Sequence, residues 1–298
     1  MSNIAISILI PAYNSVCVTL VKELSSQAQQ LNVDYEIIVA DDDSPNKEST
    51  SSNAVINSIP NCQYIVKPTN NGSAATRNFL AHKSRYPWLL FIDCDVEIAS
   101  PKFLATYLLY TDTDAGVING GIAVADLPDM AHNLRWRYEK DAEAAHSALL
   151  RQKNRYQEFR STNFMIRRDV FLSCPFDERF KKSGYEDVLF GKQLKLNSVA
   201  VLHIDNPVTM TEFEDNHGYV NKTERNLCTL YAFRSDLRGY SRLLTLVSGV
   251  HIPAIWWLMR LWHRVFGATE RRNLCGSRPY LFVFKLYRLG YYLSLIKH

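Results

Sequence analysis

The chain has 298 residues, 47% of them hydrophobic and 21% charged, with a formal net charge of +4. That length suits one large α/β domain with an appendage or two modest domains, and that apolar content excludes wholesale disorder. The charge is uneven: from Asn226 onward 11 Lys and Arg face only Asp236 and Glu270, so this segment carries +9 and everything before it −5. An acidic body with a basic, aromatic tail points to an anionic partner, such as a membrane surface. Six cysteines, at 17, 62, 94, 174, 228 and 275, contain no CxxC pair and read as free thiols of a reducing cytoplasm, not as a disulfide framework or zinc site. The opening MSNIAISILIPAYNS lacks a basic lead-in to its apolar run, so no secretory signal is expected. The stretch Leu243–Phe266 is broken by Pro253 and carries His251, Arg260 and Arg264, which argues against a membrane-spanning helix.

In chain order, IAISILIPAYN reads as a buried strand, and Val16, Leu20, Leu24 and Leu31 then repeat at helical spacing. YEIIVADDDSPN is a second apolar run closed by turn formers, and CQYIVKP a third, short strand. GSAATRNFLAHKSR is a helix that opens on small residues. WLLFIDCDVEI is a fourth strand, Pro101–Tyr110 a helix, and AGVINGGIAV a further strand-like piece. A polar, helix-favouring segment runs from Ala125 to Arg160. TNFMIRRDVF and SVAVLHIDNPV return to strand-like runs on either side of KKSGYEDVLFGKQL, and basic aromatic helices follow a soft boundary near Thr223. This alternation predicts a mostly parallel, Rossmann-like α/β sheet flanked by helices.

Ligands of open α/β sheets bind at the carboxyl ends of the strands. Two of the predicted strands end in acid clusters, Asp41-Asp42-Asp43 and Asp93-Cys94-Asp95. Side by side, such ends repel unless a cation or hydrogen-bond donors lie between them. In an extended segment Asp93 and Asp95 share one face and Cys94 the other. Two hard oxygen ligands suit Mg²⁺ or Mn²⁺, a thiolate does not. Spacing alone leaves open whether the Asp pair is a metal site or a polar strand end.

The ordered set ISILIPAYNS, EIIVADDDSPN, NNGSAATRN, WLLFIDCDVEI and GYEDVLFG resembles the family 2 inverting glycosyltransferases of the GT-A fold, over roughly residues 5 to 225. The resemblance implies a nucleotide-sugar donor, most often a UDP-sugar, and a Mn²⁺ or Mg²⁺ ion on its pyrophosphate. It implies that Pro11, Ala12 and Tyr13 lie beside the nucleoside and that Asp42, with Asp41, bonds the base. By the same resemblance Gly72 and Arg77 would line the donor pocket, with Arg77 on the diphosphate. Asp93 would contact the ribose or sugar, and Asp95, with Asp93, would hold the metal. Asp187 would be the base that takes the acceptor hydroxyl's proton, and Glu186 would orient the acceptor. On its residues alone this pair also fits helix N-terminal capping.

Two positions depart from the family pattern. Asp43 stands where family members usually have Gly. Met210 stands three residues after the DNP segment, where a His suited to ligating the metal is common, and a thioether is a poor ligand for a hard cation. His203, His217 or water would have to substitute, or metal binding is weakened. A lone strand histidine such as His203 is more often a satisfied core residue.

The chain is therefore expected to be a catalytic domain over 1–223, with a nucleotide-sugar half to about 124 and an acceptor half over about 125–223. A basic aromatic helical extension follows over 224–298. The expected activity is metal-dependent, inverting transfer of a sugar to a hydroxyl of a glycan or lipid-linked acceptor, in the setting of polysaccharide biosynthesis. The expected place is cytoplasmic, peripheral at the membrane through the extension. A non-catalytic nucleotide-sugar-binding assembly partner and a nucleotidyltransferase are the alternatives. No nucleic-acid recognition motif is present, and no nucleic-acid partner is expected.

Overall fold

The computed structural model describes residues 4–182, 184–250 and 252–296. The strands are β1 (Ala5–Ala12), β2 (Asp34–Asp41), β3 (Cys62–Val66), β4 (Trp88–Ile92), β5 (Val96–Glu97), β6 (Val117–Asn119), β7 (Ile122–Val124), β8 (Asn163–Arg167), β9 (Val201–His203) and β10 (Val208–Met210). The α-helices are α1 (Val18–Leu31), α2 (Lys47–Asn53), α3 (Ser73–Lys83), α4 (Phe103–Leu108), α5 (Leu134–Glu143), α6 (Ala148–Lys153), α7 (Arg168–Ser173), α8 (Glu186–Leu196), α9 (Asn216–Ala232), α10 (Arg242–Gly249), α11 (Pro253–Leu274) and α12 (Leu281–Leu295). Two compact units result. The first comprises Met1–Ala123, His146–Lys181 and Phe190–Glu212, and the second Val124–Ala145, Lys182–Leu189 and Phe213–His298. The boundary expected near Thr223 falls inside α9, where an unbroken run of helical hydrogen bonds leaves no linker.

The first unit is built on a seven-stranded sheet of order β3-β2-β1-β4-β8-β6-β9. β1, β2, β3 and β4 are mutually parallel, and β8 runs antiparallel to β4 and β6. All five residues of β4 are buried, the pattern of a strand covered on both faces, which is why its sequence is a continuous apolar run. Six phenylalanines pack around β4 and β8: Phe91, Phe159, Phe164, Phe171, Phe176 and Phe190. Their ring centroids approach to 4.9 Å for Phe91–Phe164 and 4.1 Å for Phe176–Phe190. Such pairs each add about 0.5–1.5 kcal/mol beyond the area they bury.

One expectation is corrected here. WLLFIDCDVEI is not a single strand: β4 ends at Ile92, a turn follows, and β5 belongs to a separate three-stranded sheet of order β5-β10-β7. Asp93-Cys94-Asp95 is the junction between two sheets, so strict alternation of faces does not apply to it.

The second unit is helical. α11 and α12 form a hairpin against α9, and Leu134, Val220, Leu274, Phe284 and Tyr287 form its buried core. The hairpin closes tightly because a β-carbon on Gly290 would meet His263 Cβ at 2.7 Å. No helix among the described residues is long and apolar enough to cross a membrane.

Candidate active site

The sheet order reverses between β1 and β4, since β2 and β3 lie on one side of β1 and β4 on the other. That reversal opens the crevice in which open α/β sheets bind ligands. The residues flanking it are Pro11 and Ala12 at the end of β1 with Tyr13 directly after them, and Asp93-Cys94-Asp95 after β4. Tyr13 is 49% exposed at the strand end, so its ring face is open to solvent.

The two acidic strand ends are not neighbours, because β1 lies between β2 and β4. Two interstrand spacings, about 10 Å, separate them, too far for one cation to bind both. Instead each is neutralised from within. Asp41, 0% exposed, accepts hydrogen bonds from the Ser44 N–H (2.7 Å), the Ser44 hydroxyl (3.0 Å) and the Tyr64 hydroxyl (2.8 Å). Asp42, 5% exposed, accepts from Lys67 Nζ (2.5 Å) and from the N–H groups of Asn71 (3.1 Å) and Gly72 (2.7 Å). Lys67 is itself buried and reaches on to the Thr76 hydroxyl at 3.0 Å. The sequence reading missed Lys67. A lysine directly after a five-residue strand, following an acidic strand end, is the only signal it left.

Asp43 takes φ +56°, the left-handed region that Asp enters at modest cost and that explains Gly as the commoner choice there. The loop geometry is thus kept and an exposed carboxylate added. Gly72, at φ +89°, is required twice over: its N–H binds Asp42, and a β-carbon would meet the Lys181 carbonyl oxygen at 2.6 Å.

Arg77, expected in the donor pocket, forms a side-chain ion pair with Asp93. It is 3% exposed, its guanidinium lies 5.5 Å from the Phe176 ring centroid, and Nη2 donates to Asp93 Oδ1 at 2.6 Å. In this arrangement it grips Asp93 from behind. Asn78, one residue on, locks α3 to the segment that carries Phe176: it accepts from the Phe176 N–H (3.0 Å) and donates to the Phe176 carbonyl (2.9 Å).

The donor set suits a hard cation with few protein ligands. Asp93 is half-buried and Asp95 exposed. Burial, and then the charge of Asp95, pushes the Cys94 thiol up to about 12, so it stays protonated and packs on the core. β10 runs antiparallel to β5 with Met210 opposite Val96, so the thioether stands across from the residue after Asp95, where a third ligand was sought. His203 is no substitute. Nδ1 accepts from Arg151 (2.7 Å) and Nε2 donates to the Arg155 carbonyl (2.8 Å). Burial, with Arg151 beside it, lowers its pKa to about 4. His217 lies on α9 in the second unit, with Asn221 Nδ2 at 3.1 Å from its Nδ1. Among the described residues no group of three or more His, Cys, Asp or Glu side chains is arranged to hold a metal. Two carboxylates suffice for Mg²⁺-like binding, in which water and substrate phosphate complete the shell.

Glu186 and Asp187 open α8 and belong to the second unit. Glu186 Oε2 accepts from the Gly184 N–H (2.8 Å), before the helix, and Asp187 Oδ1 from the Val188 N–H (2.8 Å), in its first turn. Two residues with positive φ precede them: Gly184 at +107°, which glycine adopts freely, and Tyr185 at +70°, which is strained. A left-handed tyrosine costs on the order of 1–3 kcal/mol, and such strain gathers at functional sites.

Comparison with known proteins agrees with this architecture. The model of the family described as "Glycosyl transferase family 2" matches residues 7–174, more than half of the chain. An uncharacterized glycosyltransferase of Haemophilus influenzae is 30% identical over 122 residues, 41% of this chain and 48% of that protein, so the chain spans about half the length of this curated relative. Among solved structures, S. aureus TarS 1–349 in complex with UDP-GlcNAc matches with TM-score 0.51 and 16% identity, over 97% of this chain and 90% of that one. The mannosyltransferase PcManGT from Pyrobaculum calidifontis, in complex with GDP-Man and Mn²⁺, matches with TM-score 0.56 and 12% identity, over 97% and 84%. A mannosyl-3-phosphoglycerate synthase from Rubrobacter xylanophilus matches with TM-score 0.52 and 15% identity, over 79% and 74%. At these identities the structural matches speak for the fold alone. The family match and that fold, a mostly parallel sheet whose strand ends carry the expected acids, place the chain in glycosyl transferase family 2, with a GT-A-type catalytic fold.

Proposed function

We propose that this chain transfers one sugar from a nucleotide-sugar donor, a UDP-sugar, to a hydroxyl of a glycan or lipid-linked acceptor, with inversion at the transferred carbon. The observation that carries this reading is the crevice between β1 and β4, flanked by exposed Tyr13 and by Asp93 and Asp95; in this reading Tyr13 meets the nucleoside and the two aspartates the diphosphate. Asp42, Lys67 and Gly72 hold the donor-side loops in place, and Arg77 holds Asp93. Asp95 and the outward oxygen of Asp93 would bind Mn²⁺ or Mg²⁺, which when bound neutralises the charge growing on the leaving diphosphate. Asp187 takes the acceptor proton while the new C–O bond forms, the old bond to phosphate breaks, and UDP leaves. Solved structures of the same fold bound to UDP-GlcNAc and to GDP-Man with Mn²⁺ support the donor class. Thermal stabilisation across a panel of nucleotide sugars, with and without Mn²⁺, tests it, because a ligand bound only by the folded state raises the melting point. No shift with any UDP-sugar refutes the donor assignment. Turnover that survives Asp187→Asn refutes the base.

Met210 opposite Val96 favours a second reading, a relative that binds nucleotide sugar without efficient transfer. Binding without turnover under any metal selects it.

The peripheral-membrane reading draws support from α11. Ile255, Trp257, Leu258, Leu261, Trp262 and Val265 are all 39–60% exposed on this one helix. A stripe of this size, with Arg264 and Arg272 on the same helix, fits a helix lying in an anionic headgroup layer. Flotation with phosphatidylglycerol vesicles should fail for the Trp257→Glu/Leu258→Glu/Val265→Glu variant; unchanged flotation refutes the membrane role.

A further inference from the structure

The second unit holds a cavity of about 200 Å³ that no part of the donor chemistry uses. Tyr138, Tyr219 and Phe284 supply ring faces, and three cations, Arg135, Lys222 and Arg288, outnumber the one carboxylate in its wall, Glu139. Tyr185, the strained residue directly before Glu186 and Asp187, also lines it. The space is smaller than the roughly 300–1,000 Å³ of drug-sized sites, and fits one sugar ring or one small oxyanion.

The cations differ in how they are compensated. Arg135 and Lys222 both pair with Glu214, the latter at 2.5 Å. Arg288 meets phenols instead. Nη1 donates to the Tyr138 hydroxyl at 2.8 Å, Tyr185 lines the same cavity, and the guanidinium lies 5.5 Å from the Tyr138 and Phe284 ring centroids. Among the described residues no carboxylate forms an ion pair with it. Burial raises the Tyr185 and Tyr219 pKa values, so both phenols are neutral donors at physiological pH. A guanidinium held by neutral groups in a semi-enclosed space retains most of its charge, and an anion arriving there relieves its desolvation cost. Its planar fork matches phosphate and carboxylate oxygens.

We propose that this cavity binds an oxyanion, phosphate or carboxylate, carried by the acceptor, with Arg288 as its counter-charge and the aromatic walls as the platform for the attached sugar. The inference rests on the transferase reading above and adds the acceptor's chemical class. Tyr185 joins the cavity to the Glu186–Asp187 pair through one peptide bond. An acceptor anchored at Arg288 is thereby held at the cavity whose wall residue Tyr185 directly precedes that pair.

The test is calorimetric titration of the full chain with glucose 6-phosphate, glucuronate and glucose at low ionic strength, with UDP plus Mn²⁺ titrated in parallel. At least one charged sugar should bind ten-fold or more tightly than glucose. Preference for the phosphate or for the carboxylate identifies the source of the oxyanion. Arg288→Gln should abolish the preference and Arg288→Lys retain part of it. Asn226→Asp adds a second carboxylate to the cavity wall beside Glu139, should also abolish the preference, and decides the matter if Arg288→Gln does not fold. Equal affinities for charged and neutral sugars, or a preference that survives both Arg288→Gln and Asn226→Asp, overturn the proposal. Failure of the UDP titration strikes the transferase reading instead, so the two failures are told apart.

Discussion

The Arg77–Asp93 pair separates two roles for one arginine. If Arg77 positions Asp93, the two side chains act as a unit. If it grips the diphosphate, they act independently. Arg77 is 3% exposed at its side chain and Asp93 26%. Replacing Arg77 by Met removes a charge-assisted hydrogen bond worth about 1.5–3 kcal/mol and a cation–π contact with Phe176 worth about 0.5–1 kcal/mol. Asp93 keeps access to water, so the full 3–5 kcal/mol of a sealed, broken ion pair is not reached. About 2–3 kcal/mol of destabilisation is expected for Arg77→Met and about 1–2 kcal/mol for Asp93→Asn. The double variant should recover about 1–2 kcal/mol relative to their sum. Urea unfolding of the four proteins measures this coupling, and isothermal titration with UDP and Mn²⁺ gives the functional counterpart. In binding, Arg77→Met should add nothing once Asp93 is Asn. A stability coupling below about 0.3 kcal/mol, or additive losses in UDP affinity, would refute the positioning role.

Other expected outcomes follow from single geometries. Gly72→Ala forces a side chain to φ +89° and drives its β-carbon to 2.6 Å from the Lys181 carbonyl. It should cost about 2–4 kcal/mol in urea unfolding, and a cost below 1 kcal/mol contradicts the clash. At Asp43, φ +56° makes Gly nearly neutral, within about 0.5 kcal/mol, whereas Val should cost about 1–2 kcal/mol; a tolerated Val contradicts the left-handed assignment. His203 is held neutral with its pKa lowered from 6.5 to about 4. Its contribution is therefore complete above pH 6.5 and is lost as pH falls towards 4, where the unfolded chain takes up a proton that the fold refuses. The loss amounts to about 3 kcal/mol. Thermal unfolding from pH 7 to 4.5 should show a steeper decline for the native chain than for His203→Gln, and parallel declines rule the mechanism out.

The residues that carried the sequence reading did so for local reasons. Continuous apolar runs such as WLLFI announce strands buried on both faces, and alternation of strands and helices announces a parallel sheet, because burial and backbone hydrogen bonding act over a few residues. The acids at 41–43, 93 and 95 were legible as strand ends for the same reason. Their partners were not. Lys67 meets Asp42 across 25 positions and Arg77 meets Asp93 across 16, while Arg151 meets His203 across 52. A charge carries no mark of which distant charge will neutralise it; that depends on strand order and on which turns close.

Strand order changed the chemistry most. Two acidic strand ends could have flanked one cation until β1 was found between them, which separates Asp93 and Asp95 from Asp41 and Asp42, whose hydrogen bonds tie down the loops around them. Register did the same for Met210, set opposite Val96 by the pairing of β10 with β5. The sequence alone determined that this chain folds as an α/β sheet with acids at its strand ends. Only the tertiary structure decided which acids lie at one crevice, which arginine pairs with which aspartate, and which one, Arg288, sits against tyrosines and, among the described residues, forms no ion pair.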